Sequence, residues 1–497
     1  MKTVSEVNST LKIHRRKWRL QPDPKQVICR PHIPGGSPLH IENIIQRVLA
    51  TSATESRQLL KWVKSRFSIR HRYLTRTLNQ HCKLVESYLP DPDILSDQQK
   101  QLIGAYFTME YAVASVALFN PSIVPHPDQS KNTANTLRFI MSLRATGEGH
   151  VSSIVFRTGN ISAKCKIEFE PSSHYVETAV RKLNPDYDKH LFIRKLNELN
   201  ATNDITDELF KQLPDHFNFN LLQKQIDKMF HQSTFDTNQM CDAITPINWL
   251  ANSNYELSFD HKHAISERVI FPSSEVERGG IEDARFVQFR GENGGLTYYA
   301  TYTAYNGLSI LPQLIETQDF DTFKIVTLNG KVAQNKGMAL FPRKINGQYV
   351  MLSRQDGESN YIMFSDYLHF WHEAQLLQIP NEPWEFVQIG NCGSPLETSE
   401  GWIVLTHGVG PMRQYSMGAI LLDLDNPSRV KAKLAQPLLS PLETEREGYV
   451  PNVVYSCGGL IHNNELLIPY AMSDMRSGMV SVNVNALINA MTPITLP

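Results

Sequence analysis

Gly294–Thr303 reads GGLTYYATYT: two glycines that permit a tight turn, a run rich in aromatic and β-branched residues, and a polar end. Four other stretches follow the same pattern: Asn135–Arg144 (NTLRFIMSLR), Asn346–Arg354 (NGQYVMLSR), Glu400–His407 (EGWIVLTH) and Asn463–Asp474 (NNELLIPYAMSD). The last four units begin roughly 50–65 residues apart, a period that suits a propeller blade of four short strands. The gap between the first two units is longer. It holds a polar stretch with apolar residues at helical spacing, among them Leu209, Phe210, Leu213, Leu222, Ile226 and Met229. The expected fold is therefore mainly β: a five-bladed β-propeller over residues 116–497, with a helical insertion at about 175–231 after the first blade.

Residues 1–115 have a different texture. Ile41, Ile44, Ile45, Val48 and Leu49 recur at helical spacing, Leu59, Leu60, Trp62, Val63 and Phe67 continue it, and the stretch from Gln98 to Leu118 reads as a further helix. This region is expected to be a helical accessory that packs on the propeller, since its apolar stripes need a partner surface and it shows no nucleophile–base or metal-spaced cluster.

Of the 497 residues, 41% are hydrophobic and 20% charged, which excludes wholesale disorder. Lys and Arg number 49 against 50 Asp and Glu, a formal net charge of −1 that does not favour coating nucleic acid or an anionic membrane by bulk charge. The six cysteines are scattered and form no CxxC pair, so neither a disulfide framework nor a zinc site is expected. The N-terminal stretch has basic residues but no apolar run behind them, unlike a secretory signal. These features lead to the expectation of a cytoplasmic protein with reduced thiols, no metal, and neither nucleic acid nor membrane as partner.

The five strand ends carry Arg144, Thr303 with Tyr302 and Tyr305, Arg354, His407 and Asp474. In a propeller such ends converge on one mouth of the channel, and a ring of basic, acidic and aromatic groups suits a polar, partly anionic ligand. The densest polar cluster is Glu277–Arg285, ERGGIEDAR, leading into a strand. Asp283 beside Arg285 should have a lowered pKa, whereas a general acid needs the opposite unless its proton is passed through the substrate.

The run Gly280–Arg285 (GIEDAR) resembles the G-[IV]-E-D-P-R signature of glycoside hydrolase family 130, the β-mannoside phosphorylases and β-mannosidases. Further segments are similar to that family in the same order: Phe119–Ser122 (FNPS), Ala339–Gly347 (ALFPRKING), Thr406–Val409 (THGV), Gly418–Pro427 (GAILLDLDNP) and Glu445–Val454 (EREGYVPNVV). The signature proline is Ala284 here, and the N-terminal helical region and the insertion are additions to the compact members. The resemblance implies a five-bladed propeller, matching the repeat count, and inverting phosphorolysis of a β-mannoside to α-mannose 1-phosphate. The substrate implied is a β-linked manno-oligosaccharide or mannosyl disaccharide, with inorganic phosphate as co-substrate and no other cofactor. Asp283 is then the catalytic acid, its proton relayed through a sugar hydroxyl. Lys336, Arg354 and His407 are the implied phosphate ligands, and Asn120, Arg144, Arg285, Tyr305 and Asp474 the implied sugar ligands.

If His407 binds phosphate as a cation, affinity should weaken as pH rises past ~6.5. An inverting hydrolase of the same family, with Glu358, Glu397 or Glu447 as base, is the alternative, and a non-catalytic sugar- or protein-binding propeller the second alternative. The linkage, the acceptor sugar and whether the protein forms a homo-oligomer stay open.

Overall fold

Leu296–Tyr305, the strand of the opening quotation, is hydrogen-bonded on both sides, to Gly280–Arg290 and to Ile310–Thr317. The computed structural model describes residues 11–494 except 36, 91–93, 131, 134, 184–185, 233–234 and 306–309. The first ten residues, part of the stretch read for a targeting signal, lie outside the described residues.

Among the described residues, five sheets have four or more strands and two have two. The first large sheet runs Ala117–Pro125, Leu137–Thr146, Ser152–Ile161, Arg268–Ile270; the second Gly280–Arg290, Leu296–Tyr305, Ile310–Thr317, Thr322–Thr327; the third Ala339–Leu340, Tyr349–Ser353, Asn360–Ser365, Ala374–Gln378. The fourth runs Gln388–Asn391, Gly401–Val409, Tyr415–Leu422, Val430–Lys433, and the fifth Val454–Tyr455, Glu465–Met472, Arg476–Asn483, Ile13–Arg15. Each of the five repeated sequence units is the second strand of its sheet, not the first. Second strands are paired on both sides and buried, so they read as long apolar runs. The first strands shrink to two residues at Ala339–Leu340 and Val454–Tyr455, too short to leave a periodic signal.

Apolar side chains fill the space between consecutive sheets. Phe156, Phe286, Phe320 and Phe323 pack between the first and second, with ring centroids 5.6–6.0 Å apart; Trp402 and Phe341 meet between the third and fourth. Hydrogen bonds also pass from sheet to sheet. Phe286 N donates to Ser122 Oγ at 3.1 Å, Thr301 Oγ1 to Met338 O at 2.5 Å, Ile389 N to Glu358 O at 2.8 Å and Tyr415 N to Asn452 O at 3.0 Å. Cys457 N donates to Pro121 O at 2.9 Å, so the fifth sheet is tied back to the first.

The N-terminal region is more mixed than its helical texture indicates. Helices Pro38–Leu49, Ala53–Phe67, Leu74–Lys83 and Asp97–Tyr106 are present. Ser52 and Ser96 start two of them with reciprocal capping boxes. The expected helix to Leu118 stops at Tyr106; Thr108–Ala114 is a strand paired with Asp23–Pro31. Ile13–Arg15 adds an outer strand to the fifth sheet, with Ile13 opposite Val482. The helical insertion also differs from its expected bounds. Short strands occupy Glu177–Thr178 and Val180–Leu183, and the helices run from Lys189 to Asn252, past the expected end. The last of them, Thr237–Asn252, contains Pro246, which masks it in sequence. These helices share their own core of Phe192, Leu196, Leu209, Phe210, Leu222 and Ile247.

No helix among the described residues is long and apolar enough to cross a membrane, and all six cysteines are free thiols.

Candidate active site

Two strand irregularities at matched places begin the site. In the first sheet the pairing slips between Phe119 and Ser122, and in the second between Glu282 and Arg285. Each is a β-bulge with one extra residue, which bends the strand and re-aims a side chain. Its first residue is left-handed in both: Asn120 at φ 47° and Asp283 at φ 56°. Asn and Asp tolerate that region better than other side chains do. Gly280, at φ 129°, runs so close to Ser152 Oγ that no Cβ fits there.

The two bulges point their side chains at each other, and Asn120 Nδ2 donates to Asp283 Oδ1 at 2.7 Å. Arg144, opposite Phe119 in the first sheet, lies 3.6 Å from the same oxygen and 3.0 Å from Glu282 Oε1. Lys336 Nζ takes the other Glu282 oxygen at 2.6 Å. Glu282 therefore ties Arg144 to Lys336 and orients both beside Asp283. Burial opposes the charge on Asp283, but Arg144, Arg285, the Asn120 hydrogen bond and Lys336 together hold its pKa below the usual carboxylate value. The lowered value expected from the Asp–Arg pairing is thus present.

Asp474, from the turn after Glu465–Met472, is the third carboxyl in the cluster, beside Asp283 and Glu282, and is left-handed like Asp283, at φ 50°. Burial, and then the charge of Asp283, push it up to about 7, with Arg144 and Arg413 pulling the other way. Two neighbouring carboxyls are thereby driven apart, one ionised and one able to hold a proton near neutrality.

Across the cluster lie Arg285 and Arg354. Arg285 Nη2 donates to Tyr455 Oη at 2.5 Å, and neither guanidinium has a carboxylate within ion-pair distance among the described residues. The Nε atoms of Arg144, Arg285 and Arg354 are buried without partners. Burial pulls Arg354 below the ordinary guanidinium value, and Arg285 adds to the effect. With its amide oxygen turned to Arg354, Gln388 donates to Gly357 O at 3.3 Å.

His407 lies in the strand Gly401–Val409, fully buried, with its ring parallel to Tyr415 and on edge to Tyr455. Burial, with repulsion from Arg354 and Arg285, brings its pKa down to about 3. The expectation of a protonated His407 with a transition near 6.5 is therefore corrected: the imidazole is neutral at physiological pH. Its neighbours suit a neutral ring. Gln388 lies 3.3 Å from Nε2 and the Cys392 thiol 3.8 Å from Nδ1, and burial keeps that thiol protonated, pushed up to about 12.

The remaining candidates differ in placement. Tyr302 is a buried structural residue, donating to Glu277 at 2.6 Å beside Tyr255. Tyr305 ends its strand opposite Gly280, its carbonyl accepting from Gly279 N at 2.7 Å. Of the carboxylates considered as a hydrolytic base, Glu397 is bound to Arg343 at 2.7 Å, and Glu358 and Glu447 are exposed. Tyr455, Gln388 and Cys392 are additions. Tyr455 directly follows the EREGYVPNVV segment, a position that could have drawn attention; the other two carry no local signal. Among the described residues, no three His, Cys, Asp or Glu side chains converge as a metal site would require.

The sequence profile of glycoside hydrolase family 130, described as beta-1,4-mannooligosaccharide phosphorylase, matches residues 243–493. The chain is 36% identical over 227 residues to a 1,2-beta-oligomannan phosphorylase of Thermoanaerobacter sp. (strain X514), covering 43% of this chain and 72% of that one. It is 30% identical over 237 residues to a beta-1,2-mannobiose phosphorylase of Listeria innocua, covering 46% of this chain and 65% of the relative. A solved structure of beta-1,2-mannobiose phosphorylase from Listeria innocua with beta-1,2-mannobiose superposes at a TM-score of 0.44 and 21% identity, over 76% of this chain and 92% of that one. The profile spans both the Asp283 bulge and the strand of His407, and the chain belongs to glycoside hydrolase family 130.

Proposed function

We propose that this protein is a β-mannoside phosphorylase that transfers a mannosyl group to inorganic phosphate with inversion, releasing α-mannose 1-phosphate. The observation that carries the reading is the half-buried Arg354 guanidinium, across from Asp283, with a buried unpartnered Nε and no carboxylate within ion-pair distance among the described residues. Buried charge without a partner is costly, and a phosphate dianion accepts hydrogen bonds from guanidinium forks. A water-activating base would instead need a second ionised carboxylate ~6.5–9.5 Å from the acid. Of the other carboxyls in the cluster, Glu282 is held by Arg144 and Lys336, and Asp474 is largely protonated below pH 7.

In this mechanism phosphate sits on Arg354, with Lys336 and neutral His407 at its edge, His407 acting as a hydrogen-bonding group. Asp283 supplies the proton for the leaving oxygen. Ionised in the free enzyme, Asp283 takes up a proton when the phosphate anion binds nearby and opposes its charge; it gives that proton to a sugar hydroxyl, which passes its own to the leaving oxygen. Asn120, Arg144, Arg285, Tyr305 and Asp474 bind the mannosyl hydroxyls. The five sheets, tied each to the next and the fifth to the first, support a five-bladed propeller over residues 116–497 completed by the strand Ile13–Arg15, with the rest of residues 1–115 as an accessory region. A cytoplasmic location agrees with the free cysteines.

The test is incubation with β-1,2- and β-1,4-mannobiose, with and without phosphate, following α-mannose 1-phosphate by NMR. Phosphate-dependent appearance of that product is expected. Release of free mannose at one rate, with or without phosphate, refutes the proposal and leaves the hydrolase.

A further inference from the structure

The strand pairings place every site residue at one end of the sheets. Arg144 precedes the turn between Leu137–Thr146 and Ser152–Ile161, and Asp474 lies in the turn after Glu465–Met472. Two exposed aromatic rings stand at that end. His150 belongs to the turn following Arg144. Tyr449 lies in the segment leading to Val454, beside Asp474: Val450 N donates to Ser473 O at 3.0 Å and Ser473 N to Val453 O at 2.8 Å. The rings stack at 5.4 Å with an interplanar angle of 28°. Tyr449 is 51% exposed, and stacking covers only one face of each ring.

The turn under His150 is built and braced. Gly149 and His150 are both left-handed, at φ 66° and 60°, an unusual state for a histidine. Gly147 N donates to Val151 O at 3.2 Å and His150 N to Gly147 O at 3.1 Å. From the N-terminal region, Tyr111 Oη reaches Glu148 O at 2.9 Å and Val151 O at 3.3 Å. A Cβ on Gly147 would collide with Ala112 O and Tyr111 Oη. Exposed aromatics held this firmly lose little freedom when they bind.

We infer that His150 and Tyr449 form an aromatic platform for the leaving-group side of the β-mannoside, a hexopyranose ring stacked by its C–H face. The inference rests on the phosphorylase reading above. Inversion requires attack in line with departure. Phosphate held by Arg354 and its neighbours comes from the third and fourth sheets, so the leaving sugar points to the opposite wall and outward. That wall is the first sheet, which carries His150, with Tyr449 stacked on it from the neighbouring fifth sheet.

Tyr449→Ala and His150→Ala are compared with wild type in phosphorolysis of β-mannobiose and β-mannotriose of whichever linkage wild type uses, and in calorimetric binding of the triose without phosphate. The mannoside KM is expected to rise about threefold to tenfold with the phosphate KM unchanged, binding weakening in step, and Tyr449→Phe remaining close to wild type. Unchanged mannoside KM and binding in both alanine variants overturn the platform. A rise in both KM values overturns it too, since that marks a collapsed mouth. If wild type neither binds nor turns over any β-mannoside, the phosphorylase reading fails and the platform with it. If wild type cleaves mannosides without phosphate, the mannoside KM of the variants still decides for or against the platform.

Discussion

Replacing Asp474 by Asn should change how the stability of this protein depends on pH. The folded state holds the Asp474 proton up to about pH 7, against an ordinary value of 3.8. Between those limits the folded chain binds more protons than the unfolded chain, so stability falls as pH rises through the window and stays reduced above it. The shift of about three units sets an upper bound of roughly 4 kcal/mol on that loss. Asp283 works the other way: its pKa is depressed, so it contributes stability that is present above its unfolded value and lost as pH falls through the folded one. Asn keeps the shape and the left-handed tolerance that φ 50° demands, but it cannot ionise beside Asp283. Equilibrium urea unfolding at pH 4.5 and pH 8 should show wild type losing stability toward the higher pH and Asp474→Asn losing much less, with a gain of about 2–4 kcal/mol over wild type at pH 8. The mannoside KM of wild type should also rise above pH 7, a limb the variant lacks. Equal pH dependence in the two proteins would refute the claim that Asp474 is held protonated by its neighbours.

Asp283→Asn should lower kcat at least ~10²–10⁴-fold in a chain that still folds, since Asn suits the bulge, with a lower melting temperature from the lost carboxylate; near-normal turnover would remove Asp283 from the mechanism. Arg354→Ala should raise the KM for phosphate about tenfold to over a hundredfold, the loss of one charge-assisted contact worth roughly 1.5–3 kcal/mol, while the mannoside KM changes little. The wild-type phosphate KM, corrected for the ionisation of phosphate itself, should show no histidine limb from pH 5 to 8, because His407 loses its proton near 3; a step near 6.5 would contradict its burial. A chain starting at residue 116 should be poorly soluble, since it loses the strand Ile13–Arg15 against Val480–Val482 and the Tyr111 brace; full solubility with unchanged kinetics would show that residues 1–115 neither support the fold nor shape the site.

The sequence was legible where a strand is paired on both sides. Leu296–Tyr305 and its four counterparts carry long apolar runs because both faces and both edges are covered, and their spacing counts the sheets. The first strands escaped as a repeat because their lengths differ, from two residues at Ala339–Leu340 and Val454–Tyr455 to eleven at Gly280–Arg290. Asp283, Asn120, Arg144, Lys336 and Asp474 converge as the motif resemblance implied, but the sequence does not reveal that Lys336 is spent on Glu282. Nor does it reveal the burial of His407, whose ring is enclosed by Gly390, Tyr415 and Tyr455 arriving from three separate strands. A histidine in a strand reads alike whether its ring meets water or two guanidinium groups.

The two bulges explain why the site is held by strands rather than by mobile loops. In each, a left-handed Asn or Asp is followed by a residue that contributes no hydrogen-bonding side chain, Pro121 in the first sheet and Ala284 in the second. Ala284 thus stands where the family signature has proline, in the same place that Pro121 takes in the neighbouring bulge, and its backbone needs only to pass the strand along. What locks the pair is Ser122, whose hydroxyl accepts from Phe286 N at 3.1 Å and so ties the far side of one bulge to the far side of the other. Left-handed backbone costs on the order of 1 kcal/mol per residue. That strain persists because a sheet edge on either side over-determines it. The gain is chemical: the Asn120 amide and the Asp283 carboxylate are fixed at 2.7 Å. A loop could bring the same residues together, but it would leave them free to pair with the nearest cation. Here Arg144 alone stands within ion-pair distance of Asp283, at 3.6 Å, and Arg285 and Arg354 have no carboxylate that close among the described residues.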